Sequence, residues 1–277
     1  MLPCDIVFSD LDGTLLDADH RLTARTIAAV AALRRAGVPF VPVSARGPSG
    51  VMPICRALDL GPGPMVACGG ALVYGAAGEC LASTGMTVEA AAQAQALCAA
   101  HGAAACLYAG ADWLAPNPED PRVRREEEIV CARARRGGAQ DLRPDARVHK
   151  VLAICETSAQ ADALQADARA ALAACNVARS SPILVEIMAR GVDKGAAVRR
   201  VCNHLGLAPA RGFPGARRTT PPMASPARSR RSSGKENRRA GVSPARPKGA
   251  AVKRRCGTPT GPGRPGRPAP PCRARTT

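Results

Sequence analysis

Ser9-Asp10-Leu11-Asp12-Gly13-Thr14-Leu15-Leu16-Asp17 follows directly on the apolar run Ile6-Val7-Phe8. A short apolar run that stops at polar residues reads as a buried strand. In an open parallel sheet, ligands bind just beyond the carboxyl ends of the strands, and Asp10 stands at such an end. Residues i and i+2 of an extended segment face the same side, so Asp10 and Asp12 are placed to send two carboxylates into one crevice. Gly13 lets the backbone turn sharply after them. Alone, an Asp-x-Asp pair is common in loops and binds nothing in most of them. Its meaning rests on what the rest of the chain supplies.

Outward from this stretch the pattern alternates. LTARTIAAVAALRRAGV (22–38) places Leu22, Ile27, Val30 and Leu33 at helical spacing, with Thr23 to cap the start and Gly37 to end it. VPFVPVSAR (38–46) is a second apolar run, PSGVMPICRALDL (48–60) a short helix, and PMVACGGALVY (64–74) a third strand running into a hairpin. Strand, helix, strand, helix, strand predicts an α/β fold, a Rossmann-like parallel sheet with crossover helices. From about Gly78 the pattern changes. TVEAAAQAQALCAAHG (87–102) and TSAQADALQADARAALAAC (157–175) predict helices. AAACLYAG (103–110), RVHKVLAICE (147–156) and SSPILVEIMA (180–189) predict strands, and ADWLAPNPEDP (111–121) a loop. Residues 80–190 are therefore expected to form a second α/β unit inserted into a discontinuous core of 1–79 and 191–210. GVDKGAAVRRVCNHLGL (191–207) predicts a helix opening at Asp193, which returns the chain to that core.

The 277-residue chain carries a net charge of +17, which invites a nucleic-acid reading. The charge is not spread evenly. From Arg211 onward there are 18 Lys or Arg and a single acid, Glu236, so residues 1–210 balance to zero. That tail holds 12 prolines, and Val242 and Val252 are its only Val, Leu or Ile. It cannot bury enough apolar surface to offset chain entropy, so 211–277 is expected to be a disordered basic tail. Such a segment can touch phosphate backbones weakly, without sequence preference and in a salt-sensitive way. Phe213 is its one aromatic, so base stacking is nearly unavailable. The 12 cysteines form no C-x-x-C pair and do not cluster with the histidines, which argues against zinc. MLPCDIVFSD (1–10) has no charged n-region and no long apolar stretch, so it is not expected to act as a signal peptide, and no run of roughly 18 apolar residues predicts a membrane span. The expectation is a cytoplasmic protein with reduced thiols and no membrane partner.

Further residues answer the Asp10–Asp12 pair. Ser44 ends the second strand, where its hydroxyl and neighbouring N–H groups are placed to hold a phosphate oxygen. Lys194 falls in the first turn of the late helix, where a cation opposes the helix dipole, so an anion beside it would explain its place. Gly195 permits close approach. A lone serine at a strand end is ordinarily a turn residue, and a lone helical lysine is ordinarily solvated. The ordered set is harder to dismiss than its members.

DLDGTLL after a strand, VPVSAR, and GVDKGAAVRRVCNHLGL together resemble the three leading motifs of the haloacid dehalogenase superfamily. GGALVYGAAGECL (69–81) and VEIMARGVDKG (185–195) resemble its Cof-like phosphatase branch, in which an α/β cap lies between the second and third motifs. The resemblance spans about residues 4–211. It implies a phosphoric monoester hydrolase acting on small phosphorylated metabolites. Asp10 would be the nucleophile, forming an aspartyl-phosphate, and Asp12 the acid and then base. Ser44 and Lys194 would hold the phosphoryl oxygens, with Lys194 offsetting their charge. Gly13, Thr14 and Arg46 are further candidates for substrate contact. Mg²⁺ would be held by Asp10 and by the backbone carbonyl of Asp12.

Three departures stand out. The usual T-G-R of the second motif is Ser44-Ala45-Arg46, and the N-G-A before the cap is Gly69-Gly70-Ala71. The family's fourth motif, G-D-x-x-N-D, is expected a little over twenty residues after the lysine. The corresponding stretch is GFPGARRTTPPM (212–223), which has no acid. A GC-rich gene read out of frame from near Arg211 would yield such a tail, and resequencing of the locus tests this. The core is accordingly expected to be incomplete on its C-terminal side and the activity impaired. The alternatives are a catalytically dead remnant and weak polyanion binding through the tail.

Overall fold

The computed structural model describes residues 5–207. The 211–277 tail and the stretch where a fourth motif is expected lie outside the described residues. β1 (Val7–Ser9) runs parallel to β2 (Phe40–Pro42), with Val7 opposite Phe40. They are joined through α1 (Ala24–Arg35), whose first turn is capped by Thr23 Oγ1 accepting from Thr26 N–H at 3.1 Å. α2 (Pro48–Ala57) opens with proline at its first position, where the missing N–H costs nothing. It leads to β3 (Met65–Ala67), and Val43 bridges Val66 in parallel. The parallel βαβαβ core read from the sequence is borne out.

β4 (Leu72–Tyr74) and β5 (Cys80–Ser83) add an antiparallel hairpin to β3. β5 therefore pairs with the core sheet, although the sequence reading drew the inserted unit from residue 80. The chain continues through α3 (Val88–Ala100), β6 (Ala104–Ala109), β7 (Asp112–Ala115), α4 (Pro121–Val130), β8 (Arg135–Arg136), β9 (Lys150–Ile154), α5 (Ser158–Ala171), β10 (Cys175–Ser181) and β11 (Leu184–Ala189). These six strands form one sheet in the order β10-β11-β9-β6-β7-β8. α6 (Lys194–His204) then returns to the core, where Ala197 and Val201 pack on Val41, Val66 and Val73.

β7 corrects the loop expected at 111–121. The Pro- and Asp-rich end of that stretch hid a strand at its start. Gly110, at φ 62°, opens a tight turn. Trp113 then stacks on Tyr108 with ring centroids 5.6 Å apart, and Leu114 is buried. β10 and α4 were likewise not anticipated.

Strand alternation sorts the second sheet into two faces. Leu107, Val151, Ala153, Val185 and Ile187 pack in one cluster with Ala91, Ala94 and Cys98 of α3 and Ala161, Leu164 and Ala168 of α5. Cys106, Tyr108, Leu152, Ile154 and Met188 join the core residues Leu11, Val51 and Ile54 instead. Cys55, Cys68, Cys98, Cys106 and Cys155 are buried small hydrophobes in these clusters, and Cys202 is buried on α6. Burial pushes the Cys68 thiol up to about 12. α5 depends on its cap, Thr157 Oγ1, which accepts from Gln160 N–H at 3.1 Å. Thr157→Ala should cost about 1 kcal/mol and lower the melting temperature by about 2–4 °C, read by thermal unfolding. No helix among the described residues is long and apolar enough to cross a membrane.

Candidate active site

Asp10 leaves β1 in extended conformation, and its Oδ1 accepts from Leu11 N–H at 2.9 Å. Gly13, at φ 69°, folds the chain back so that Leu16 N–H reaches the Leu11 carbonyl at 2.9 Å. This tight turn holds Asp10 and Asp12 just beyond the carboxyl end of β1. Lys194, the first residue of α6, donates from Nζ to the same Asp10 Oδ1 at 3.0 Å. The late helix is positioned by its cap, Asp193, which accepts from Ala196 N–H at 2.7 Å. Gly70 makes the approach possible, since a Cβ there would lie 2.5 Å from the Asp193 carbonyl oxygen.

Asp12 is held from two sides. Arg46 donates from Nε to Oδ2 at 2.9 Å and from Nη2 to Oδ1 at 2.6 Å. His20 Nδ1 meets Oδ1 at 2.9 Å, from a turn that puts His20 at φ 58°. Partial burial pushes the Asp12 carboxyl up. Arg46 and His20 outweigh it and hold the group below the ordinary carboxylate range. The side chain of Arg46 is thus spent on Asp12, and only 5% of it is exposed.

Ser44 is fully buried at the end of β2. Its Oγ accepts from Arg46 N–H at 3.0 Å, which leaves the hydroxyl proton to be donated elsewhere. Its backbone is tied to the neighbouring loop, with Gly69 N–H donating to the Ser44 carbonyl at 2.9 Å and Cys68 N–H to the Arg46 carbonyl at 2.8 Å. That loop holds Cys68 and Gly69 at φ 48° and 65°, and a left-handed Cys is a conformation a fold keeps only where the surroundings impose it.

Charged residues of the second unit also reach this region. Lys150 Nζ donates to the Ala45 carbonyl at 2.6 Å, lies 3.4 Å from Glu186 Oε1, and sits 4.6 Å from the Tyr108 ring centre. Burial pushes the carboxyl of Glu126, on α4, up against the pull of Lys150 and Arg46. Sequence reading missed Lys150, Glu186, Glu126 and His20. For two of them a signal exists: a Lys beginning the apolar run VLAI, and a Glu between Val and Ile in LVEIMA, are charges where a strand should be buried.

The donor set is compatible with Mg²⁺, which takes oxygen ligands and keeps several waters. Both hydrogen bonds to the Asp10 carboxylate end on Oδ1, so Oδ2 is left for a metal among the described residues. The Asp12 carboxylate is taken by Arg46 and His20, which leaves its backbone carbonyl as the second donor. This is a partial set. No group of three or more His, Cys, Asp or Glu side chains able to hold a metal occurs among the described residues.

A family model for haloacid dehalogenase-like hydrolases matches residues 7–211. The chain belongs to that family. The resemblance read from its three motifs is borne out. Over 67 residues it is 43% identical to a Haemophilus influenzae protein that bears a provisional phosphatase name. The match covers 24% of this chain and 25% of that relative, so it spans only a quarter of the relative's length. Among solved structures, a haloacid dehalogenase-like hydrolase from Bacteroides thetaiotaomicron superposes with a TM-score of 0.67 at 20% identity, over 74% of this chain and 78% of the other. A sugar phosphatase of haloacid dehalogenase subclass IIB superposes with a TM-score of 0.60 at 18% identity, over 74% and 77%. These likenesses establish the fold of this hydrolase.

Proposed function

We propose that this hydrolase is a Mg²⁺-dependent phosphatase of small phosphorylated metabolites, working through an aspartyl-phosphate on Asp10. The observation that carries the reading is the Lys194–Asp10 contact of 3.0 Å beside Asp12 at the end of β1. A carboxylate nucleophile needs a cation to accept an anionic substrate, and this cation arrives from a helix 184 residues away in sequence. The family membership and the sugar phosphatase among its structural neighbours agree with it.

In the first half-reaction an Asp10 oxygen bonds to phosphorus as the phosphorus–alkoxide bond breaks, and Asp12 gives its proton to the departing oxygen. In the second, Asp12 takes a proton from the water that attacks phosphorus. Phosphate leaves and Asp10 is restored. Lys194, the Ser44 hydroxyl and the backbone around Gly13 and Thr14 hold the phosphoryl oxygens. Arg46 and His20 keep Asp12 ionised, as the second half-reaction requires. For the first, Asp12 must carry a proton, and Arg46 is released when a phosphoryl oxygen competes for its guanidinium. Mg²⁺, held by Asp10 and the Asp12 carbonyl, supplies charge neutralisation between nucleophile and phosphate when bound. The second unit acts as a cap that selects the alcohol.

With no fourth-motif acids to complete the metal shell, we propose weak Mg²⁺ affinity and a slow enzyme. Phosphate release from a panel of monoesters, followed against Mg²⁺ concentration, tests the reading. The rate should depend on Mg²⁺ and keep rising where a complete acidic set would already be saturated. Absence of Mg²⁺-dependent release from every monoester would overturn the assignment.

A further inference from the structure

The cap's central strands meet the core directly over the loop that carries Ser44 and Arg46. Lys150 lies opposite Tyr108 in the sheet, on the face that Leu152 and Ile154 turn to the core. Three contacts descend from this face. Lys150 Nζ reaches the Ala45 carbonyl at 2.6 Å. The Tyr108 ring covers Gly47 so closely that a Cβ there would lie 2.5 Å from its Cδ1. Met188 Sδ closes over Gly69, where a Cβ would lie 3.2 Å away. All three land on the two short loops that flank Ser44.

The Lys150 contact is the most specific of these. The carbonyl of Ala45 and the N–H of Arg46 belong to one peptide unit. Lys150 holds that unit by its oxygen, and Ser44 Oγ holds it by its N–H at 3.0 Å. A cation on a peptide carbonyl polarises the same peptide's N–H and strengthens the bond it donates. The chain of contacts therefore runs from ammonium to carbonyl, through the peptide to N–H, and on to the serine oxygen. It fixes which way the Ser44 hydroxyl points. Lys150 and Glu186 are only 3% and 6% exposed. A buried ion pair is seldom worth more to stability than an apolar pair of the same volume, so their presence calls for another reason.

We propose that Lys150, held by Glu186, is a positioning residue for the phosphate-binding loop: it orients the Ala45–Arg46 peptide, and through it the Ser44 hydroxyl, when the cap is seated. The inference rests on the reading of Ser44 as a phosphate ligand. It ties cap seating to phosphate binding without Lys150 touching substrate.

The test replaces both ions by apolar residues of similar length, Lys150→Met with Glu186→Met, in the full chain. This variant should fold at least as stably as the parent. Amide exchange in peptides covering 44–47 and 68–69 should nonetheless speed up roughly tenfold or more, and inorganic phosphate should bind roughly tenfold more weakly, the scale of one charge-assisted hydrogen bond. Exchange in β9 and β11 should stay unchanged. The neutral pair Lys150→Gln with Glu186→Gln keeps a donor toward Ala45 and should exchange at 44–47 at a rate between the parent and the Met pair; if the Met pair does not fold, exchange at 44–47 in the Gln pair that is no faster than in the parent overturns the proposal. Unchanged exchange at 44–47, or acceleration spread evenly over the cap, overturns the proposal. Lys194→Ala separates the two readings. If it leaves phosphate binding intact, the catalytic assignment fails, while the exchange measurement still decides the role of Lys150.

Discussion

Asp10→Asn should remove the hydrolytic activity of the chain, lowering its rate at least about 10⁴-fold, the scale seen when an enzyme loses its nucleophile. The substitution is nearly silent for the fold. Asparagine keeps an oxygen to accept from Leu11 N–H. The lost ion pair to Lys194 involves side chains 45% and 42% exposed, worth at most about 1 kcal/mol. The loss of rate should therefore come with a melting temperature close to that of the parent. Asp12→Asn should behave differently. It leaves the buried Arg46 guanidinium without its carboxylate, so stability as well as activity should drop. It also removes the base for the second half-reaction, so with an aryl phosphate, whose leaving group departs without a proton, a phosphoryl group should accumulate on the peptide that contains Asp10. Mass spectrometry of the digested variant after incubation with substrate reads this directly. A parent-like rate for Asp10→Asn, or a phosphoryl group on any other peptide, contradicts the mechanism.

The parts of this site that were legible in the sequence are those written in local grammar. Asp10, Asp12 and Ser44 sit where an apolar run ends, and a parallel sheet puts such positions at one edge. Lys194 was legible because a cation in the first turn of a helix is out of place unless something compensates it. Its partner, Asp10, is 184 residues away, and no local pattern names that distance. The grouping came from the ordered motifs. Arg46 was marked as a substrate contact by its place two residues after Ser44. Its two bonds to Asp12 depend on how the loop after β2 lies across the turn after β1, and spacing does not encode that.

The residues missed entirely are tertiary in origin. Lys150 lies 105 residues from the carbonyl it holds, and His20 reaches Asp12 only because Gly13 folds the intervening turn. β7 was hidden for a related reason. Its four residues are followed by Pro116, Asn117 and Pro118, and composition averaged over the whole stretch reads as loop. What makes it a strand is the stacking of Trp113 on Tyr108 across the hairpin, a cross-strand contact that sequence periodicity over four residues is too short to announce.

The stability of the chain should fall steeply as pH drops below about 6.5, and His149 is the reason. It is 3% exposed, beside the point where Met86, between β5 and α3, and Val148, just before β9, exchange backbone hydrogen bonds. Its Nδ1 accepts from Gly110 N–H at 3.0 Å, so the ring proton is on Nε2 and is donated to Ser83 Oγ at 2.8 Å. One neutral imidazole thus joins the end of β5 to the β6–β7 turn. A second proton would have to sit on Nδ1, facing another donor. Burial pushes the group down from 6.5 to about 4. The unfolded chain therefore takes up a proton in a range where the native state does not. Stability is complete above pH 6.5 and is lost between there and about 4, by about 3 kcal/mol in all. The carboxylates held low by their partners, Asp12, Asp120 and Glu127 among them, add their own loss only further down, as pH falls through the ordinary carboxylate range. Between pH 7 and 5 Glu126, pushed up by burial, works against the histidine, because the folded state takes that proton first. Denaturant unfolding of parent and His149→Leu side by side reads the histidine as their difference: the parent should lose stability across this interval relative to the variant, which is less stable at pH 7. A His149→Leu variant that keeps the parent's slope would place the acid sensitivity elsewhere.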